Sequence, residues 1–329
     1  MPPAAAPRLL ERRLLFFSGK GGVGKSTVTA AMALLAAQQG KRVLVVEVDA
    51  KGNLTDLFEH QPVGFKPVEV QPGVFVMTMH TEESLQEYLR LNLKVPVLGR
   101  IGPLARALDF VATAAPGVKE ILTVGKACWE VRESIEGRAD WDIVLVDAAA
   151  TGHIVAQLGA PEAIRELVSV GPVRSQTQWM SDMLSDPALT ALNVVTTPEE
   201  MPVNETIELV GRVRRELSVP LGTVIVNRVL PELFTHTDED VFDAMREPAA
   251  TARLVSALGD GPEVGRGTTA VLDAARMAVS LRRTRAAHLA ELRRAVDLPT
   301  LFLPYLFVRA HGLRVTRMVA EGLGQELGL

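Results

Sequence analysis

Residues 19–27, Gly19-Lys20-Gly21-Gly22-Val23-Gly24-Lys25-Ser26-Thr27, decide the fold. Gly19, Gly24, Lys25 and Ser26 satisfy G-x-x-x-x-G-K-[ST], the spacing of a phosphate-binding loop. An apolar run, Leu14 to Phe17, precedes the loop and reads as a strand. An alanine-rich run, Thr27 to Gln39, follows and reads as a helix. Because Gly21, Gly22 and Gly24 carry no Cβ, successive N–H groups can curl around a β-phosphate at the positive end of that helix. Lys25 then reaches the β- and γ-phosphates, and the Ser26 hydroxyl ligates Mg²⁺. The expected phosphate-binding set is Gly19, Gly21, Gly22, Val23, Gly24, Lys25, Ser26 and Thr27.

Working outward, Gly40 stands where a helix stop is expected. Arg42 to Asp49, RVLVVEVD, then reads as a buried parallel strand. Further strands are expected at Gly73 to Met79, Trp141 to Asp147, Ala191 to Thr197, Thr223 to Val229 and Thr300 to Leu306. Helical runs are expected from about Val203 to Leu217, across much of 238–297, and after Gly312. This alternation predicts an α/β fold, a mostly parallel sheet flanked by helices, as one domain over residues 1–329. Residues 81–135 and 173–186 lack strand patterning and are expected to form a helical subdomain inserted in it. In open α/β sheets ligands collect at the carboxyl ends of strands, where Asp49 and Asp147 both fall.

Composition narrows the function. A chain with 47% hydrophobic and 22% charged residues can bury a sizeable core. A net charge of −4 gives no electrostatic footprint for nucleic acid, so no nucleic-acid partner is expected. The single cysteine, Cys128, excludes an intrachain disulfide and a Cys-x-x-Cys metal clip and reads as a small buried hydrophobe. Arg8, Glu11, Arg12 and Arg13 interrupt the stretch that an export signal would keep apolar, and Pro299 and Pro304 break the most apolar late run. The expectation is a cytoplasmic protein without stable membrane insertion. Arg282, Arg283, Arg285, Arg293 and Arg294 are interleaved with Leu281, Leu289, Leu292 and Val296 and read as a solvated helix face.

Three further stretches stand at strand ends: Asp49 to Asp56, DAKGNLTD; Asp147 to His153, DAAATGH; and Val226-Asn227-Arg228. With the phosphate loop they resemble the arsenical-pump and tail-anchored-protein-targeting ATPases, a branch of the dimeric ATPases with a deviant P-loop. Ala115-Pro116-Gly117 with Glu120, and Pro198-Glu199 with Glu205-Thr206, extend the resemblance over most of the chain. It implies a P-loop NTPase that hydrolyses ATP with Mg²⁺, as a homodimer or a heterodimer with a related ATPase. Lys20 matches the extra lysine that reaches the partner's nucleotide, and Asp49 the switch I aspartate that orients the attacking water. Lys20, Lys25 and Asp49 are therefore the expected catalytic residues, with Asn53 in the same switch loop. Asp147 matches the aspartate at the Mg²⁺ shell beside Ser26, Thr151-Gly152-His153 the switch II turn, and Asn227 the adenine-recognising asparagine. Read alone, Asp49 serves equally as a helix N-cap, and His153 and Asn227 as turn residues.

The departures matter. Ala50, Lys51 and Gly52 follow Asp49 where the family commonly has Pro-Ala-His, and Ala149 and Ala150 stand where Ala-Pro is usual. Glu47 adds a carboxylate where a small polar residue is usual. One thiol supplies neither the intersubunit zinc site nor the arsenite site of the family. Two jobs stay open. Residues 81–135 and 173–186, with Met180 and Met183, would hold a hydrophobic membrane-protein client in a groove, or would pack as ordinary core around a regulatory switch that binds a soluble partner. A third job, a membrane-surface ATPase, would use the last helix, with Leu313, Met318, Val319 and Leu323 beside Arg314 and Arg317.

Overall fold

Strand β1 (Leu14–Ser18) is buried at every position, as a strand covered on both faces must be. It runs parallel to β5 (Ile143–Asp147) on one side and β6 (Thr190–Thr196) on the other. The computed structural model describes residues 9–48, 53–93, 117–137, 141–167, 172–232, 235–245, 247–258, 262–308 and 311–329. Among the described residues eight strands form one sheet in the order β3-β4-β2-β5-β1-β6-β7-β8, completed by β2 (Val43–Glu47), β3 (Val68–Gln71), β4 (Val74–Thr78), β7 (Leu221–Val229) and β8 (Thr300–Pro304). All pairs are parallel except β3 with β4, an edge hairpin whose outer strand the apolar pattern did not reveal.

The period-two alternation of strands divides the core into two layers. Leu15, Phe17, Val43, Val45 and Leu145 face α1 (Lys25–Gln38), together with Val319, Ala320 and Leu323 of the last helix, α11 (Leu313–Leu327). The apolar stripe of α11 is thus spent on α1, which removes the basis for a membrane-surface role. Leu14, Phe16, Leu44 and Val46 face the opposite layer of α4 (Val118–Ile135), α5 (Thr151–Leu167), α6 (Pro172–Ser185) and α7 (Glu200–Glu216). Met180 and Cys128 are buried in this layer, Met183 packs against it, and burial pushes the Cys128 thiol up to about 12. Helices α4 and α6 therefore bury an apolar face in the core of this layer, while the described residues 81–93 pack on α4; residues 94–116 fall outside the described residues.

One buried ionic cluster joins α4 to α3 (Thr81–Leu93). Lys126 Nζ lies 2.7 Å from Glu87 Oε2 and 2.8 Å from Glu130 Oε1, and 4.9 Å from the centre of the Phe65 ring. Trp141 Nε1 donates to the other Glu130 oxygen at 2.8 Å.

The arginines of α10 (Pro262–Ala295), the helix after α9 (Pro248–Leu258), keep the exposure that their spacing suggests at Arg283, Arg293 and Arg294, but several also form specific pairs. Arg282 and Arg283 both pair with Glu239 of α8 (His236–Ala244), which is buried beneath them. Arg285 reaches Glu199, and Arg293 stacks 4.9 Å over Phe302. Such pairs fix the docking of one helix on another more than they stabilise it.

Candidate functional site

The turn between β1 and α1 needs glycine for two separate steric reasons. A Cβ on Gly19 would sit 2.0 Å from the Val195 carbonyl oxygen. Gly24 precedes α1 in the left-handed region at φ 94°, and a Cβ there would lie 2.5 Å from Asn227 Nδ2. That amide donates to the Val23 carbonyl at 2.9 Å, so Asn227, buried near the end of β7, braces the loop directly. Its own oxygen accepts from the Arg228 N–H at 2.9 Å.

At the first turn of α1, Ser26 Oγ donates to Asp147 Oδ2 at 2.6 Å. A hydroxyl beside a carboxylate at a helix N-terminus is the hard oxygen donor set that Mg²⁺ takes, so these two residues fit the ion. Lys25 Nζ lies 3.4 Å from the Lys20 carbonyl. Gly21, Gly22, Gly24, Lys25, Ser26 and Thr27 line a cleft of about 600 Å³ that continues to Asp147 and Ala148 at the end of β5. The far wall comes from elsewhere in the chain. Asp56 and Leu57 of α2 (Asn53–Leu57) meet His311, Gly312 and Val315 at the start of α11. Two bonds hold that wall together: Thr316 Oγ1 donates to the Leu57 carbonyl at 3.2 Å, and the Leu313 N–H donates to Glu59 Oε1 at 3.1 Å.

Lys20 and Thr151 meet on one carboxylate. Lys20 Nζ forms an ion pair with Glu205 Oε1 of α7, and Thr151 Oγ1 donates to Glu205 Oε2 at 2.9 Å. The hydrogen bond from Lys20 holds the Glu205 carboxyl below its ordinary value, and that from Thr151 acts in the same direction against the opposing effect of burial. Thr151, Gly152 and His153 form the first turn of α5, with Gly152 and His153 exposed. Asp49 lies outside the described residues; Asn53 begins α2, and its side chain lies outside them too.

The structure thus gathers Lys20, the loop glycines, Lys25, Ser26, Asp147, Thr151 and Asn227 around one end of the sheet. The family model described as Anion-transporting ATPase matches residues 12–178 and 170–250. The chain belongs to this ATPase family. Among the relatives, ATPase BagA of Mycobacterium tuberculosis is 31% identical over 315 residues, covering 90% of this chain and 88% of that protein. The arsenical pump-driving ATPase of Escherichia coli is 28% identical over 278 residues, which is 75% of this chain but 45% of the pump ATPase. The ATPase ASNA1 homolog of Entamoeba dispar is 26% identical over 256 residues, 66% of this chain and 76% of that protein. As a family member the chain is an ATP hydrolase. Among the described residues of this ATPase, no helix is long and apolar enough to cross a membrane.

The residues that sequence reading left without a role are Glu205, Asp56 and His311. Glu205 carries the family resemblance with Thr206, but only the fold shows which lysine and which threonine it holds. Asp56 and His311 stand about 255 residues apart, and no local pattern joins them across the cleft.

Proposed function

We propose that the chain is a nucleotide-switched ATPase that binds MgATP in the cleft between α1, α2 and α11 and works as a dimer with a second copy or a related ATPase. The observation that carries the nucleotide site is the Ser26–Asp147 hydrogen bond at the mouth of a loop built from Gly19 to Lys25. Ser26 directly and Asp147 through water would hold Mg²⁺, which would supply positive charge against the β- and γ-phosphates. The loop N–H groups and Lys25 cradle those phosphates at the positive end of α1. Asp49 orients the attacking water, a task in which positioning supplies most of the rate. Asn53, Thr151, Gly152 and His153 respond to the γ-phosphate. Asn227, which braces the loop at Val23, is the side chain offered to the base.

Lys20 supports the switch. Within one subunit it rests on Glu205, which also holds Thr151, so drawing Lys20 to a partner's phosphate frees the start of α5 at the same time. This links ATP arrival, dimer formation and movement of the Asp147–Thr151 connection. The burial of Met180 favours a switch acting on a soluble partner or related ATPase over a groove for a hydrophobic client in residues 173–186.

Asp49→Asn tests the reading. It keeps the shape of the side chain and removes the charge, so ATP affinity stays within about threefold while turnover falls roughly 100-fold, the scale of a lost positioning or base residue. Equal turnover in the variant and the unaltered protein, measured as phosphate release under saturating MgATP, removes Asp49 from the mechanism.

A further inference from the structure

Glu47 ends β2 with 1% of its surface exposed, and a buried carboxylate is costly unless its oxygens are bonded. Strand register places it beside Asp147 on one side and Thr78 on the other, on the sheet face that α1 covers. Both oxygens are engaged. Oε2 accepts from Thr78 Oγ1 at 3.2 Å, and Oε1 accepts from the Leu54 N–H at 3.4 Å, a long contact that the carboxylate charge strengthens.

Leu54 is the second residue of α2, and a helix of five residues is too short to hold its own place. Its position rests on its ties to the surroundings. At its far end Leu57 and Glu59 are bonded to α11. At its near end Leu54 is buried and its amide is bonded to Glu47. The amides at a helix start favour negative charge, and a glutamate is long enough to reach them from the neighbouring strand. The same bond joins the strand before Asp49 to the helix after it.

We propose that Glu47 is a positioning residue for ATP hydrolysis: by bonding Leu54 and Thr78 together it sets the start of α2 and the cleft wall at Asp56 and Leu57, and ties together the two ends of the segment that carries Asp49. The inference rests on the reading of Asp49 given above. Glu47 works through its bonds to Thr78 and to the Leu54 N–H. It acts through α2, so its removal slows the chemical step while the loop of Gly19 to Lys25 still binds nucleotide.

The test compares Glu47→Ala, Glu47→Gln and Asp49→Asn for kcat, for affinity toward MgADP and for thermal stability. The expected result is a kcat at least tenfold lower in Glu47→Ala, with MgADP affinity within about threefold of the unaltered protein. Glu47→Gln, whose amide oxygen still accepts from Leu54, recovers kcat to within about threefold. A Glu47→Ala turnover within twofold of the unaltered protein overturns the inference. So does a loss of MgADP affinity and stability in Glu47→Ala and Glu47→Gln alike, which would make Glu47 a plain structural residue. If Asp49→Asn is slow and Glu47→Ala is not, only the inference fails; if Asp49→Asn turns over normally, the reading beneath it fails as well.

Discussion

Lys25→Ala weakens MgATP binding by a factor of roughly 30 to several thousand, the largest effect expected of any substitution in the cleft. Lys25 stands at the start of α1 and lines the cleft, where loop N–H groups and helix dipole favour anions, and in the proposed site its charge would meet phosphate. Truncating one partner of a desolvated charge pair costs about 2–5 kcal/mol, and each 1.4 kcal/mol is tenfold in affinity. Folding is expected to survive, because Lys25 is only partly buried and Ser26 keeps its bond to Asp147. Titration with a fluorescent ATP analogue checks this. An affinity within threefold of the unaltered protein would mean that the cleft does not hold phosphate as described.

Lys126→Ala has the largest expected effect on stability, a loss of about 3–5 kcal/mol, because it leaves the buried Glu130 and the half-buried Glu87 without their cation. Glu87 and Glu130 both lie within 2.8 Å of the Lys126 ammonium, and no other cation is bonded to either of them among the described residues. For a chain of this size the melting temperature should fall by roughly 5–12 °C. The titration has a definite sign. Burial alone would lower the lysine pKa, but the charges and hydrogen bonds of Glu130 and Glu87 outweigh it, and the net shift is upward. The stabilisation is therefore complete below the ordinary lysine value and is lost as pH rises through the higher folded-state one. Thermal melts of both proteins at neutral and strongly alkaline pH check it: the gap between them should narrow at high pH. A gap below 1 kcal/mol at neutral pH would contradict the account.

Much of the fold is legible because parallel strands are covered on both faces. Leu14–Ser18, Val43–Glu47 and Ile143–Asp147 are continuous apolar runs that end in polar residues where the ligand side begins. The missing strand, Val68–Gln71, lies at the edge with exposed Val68 and Glu69, so burial imposes no apolar run on it. The lack of strand patterning marked the stretches that hold α4 and α6 as helical but could not say which way their apolar faces point. Met180 at helical spacing reads the same in a groove as in a core, and only the fold buries it. The exposure of Arg283, Arg293 and Arg294 of α10 was legible, but the pairing of Arg282 and Arg283 was not, because Glu239 is some 43 residues away on α8. The phosphate loop and Asp147 follow from local spacing, since steric needs at Gly19 and Gly24 restrict the residue type. The far wall of the cleft does not. Asp56, His311 and Glu205 act through contacts between distant segments, where ordinary loop and helix sequences carry no mark of the meeting.

The central claim is that ATP joins two copies or a copy and a related ATPase through Lys20. Sedimentation velocity of the Asp49→Asn protein, with MgATP and then with MgADP, tests it most directly, with Lys20→Ala in the same background as the comparison. The account predicts a dimer with MgATP, a monomer with MgADP, and a marked weakening of the dimer when Lys20 is removed from its place beside Glu205. Dimerisation by MgATP that is equally strong in the Lys20→Ala protein, or a mass that does not respond to nucleotide in the presence or absence of a related ATPase, would contradict it.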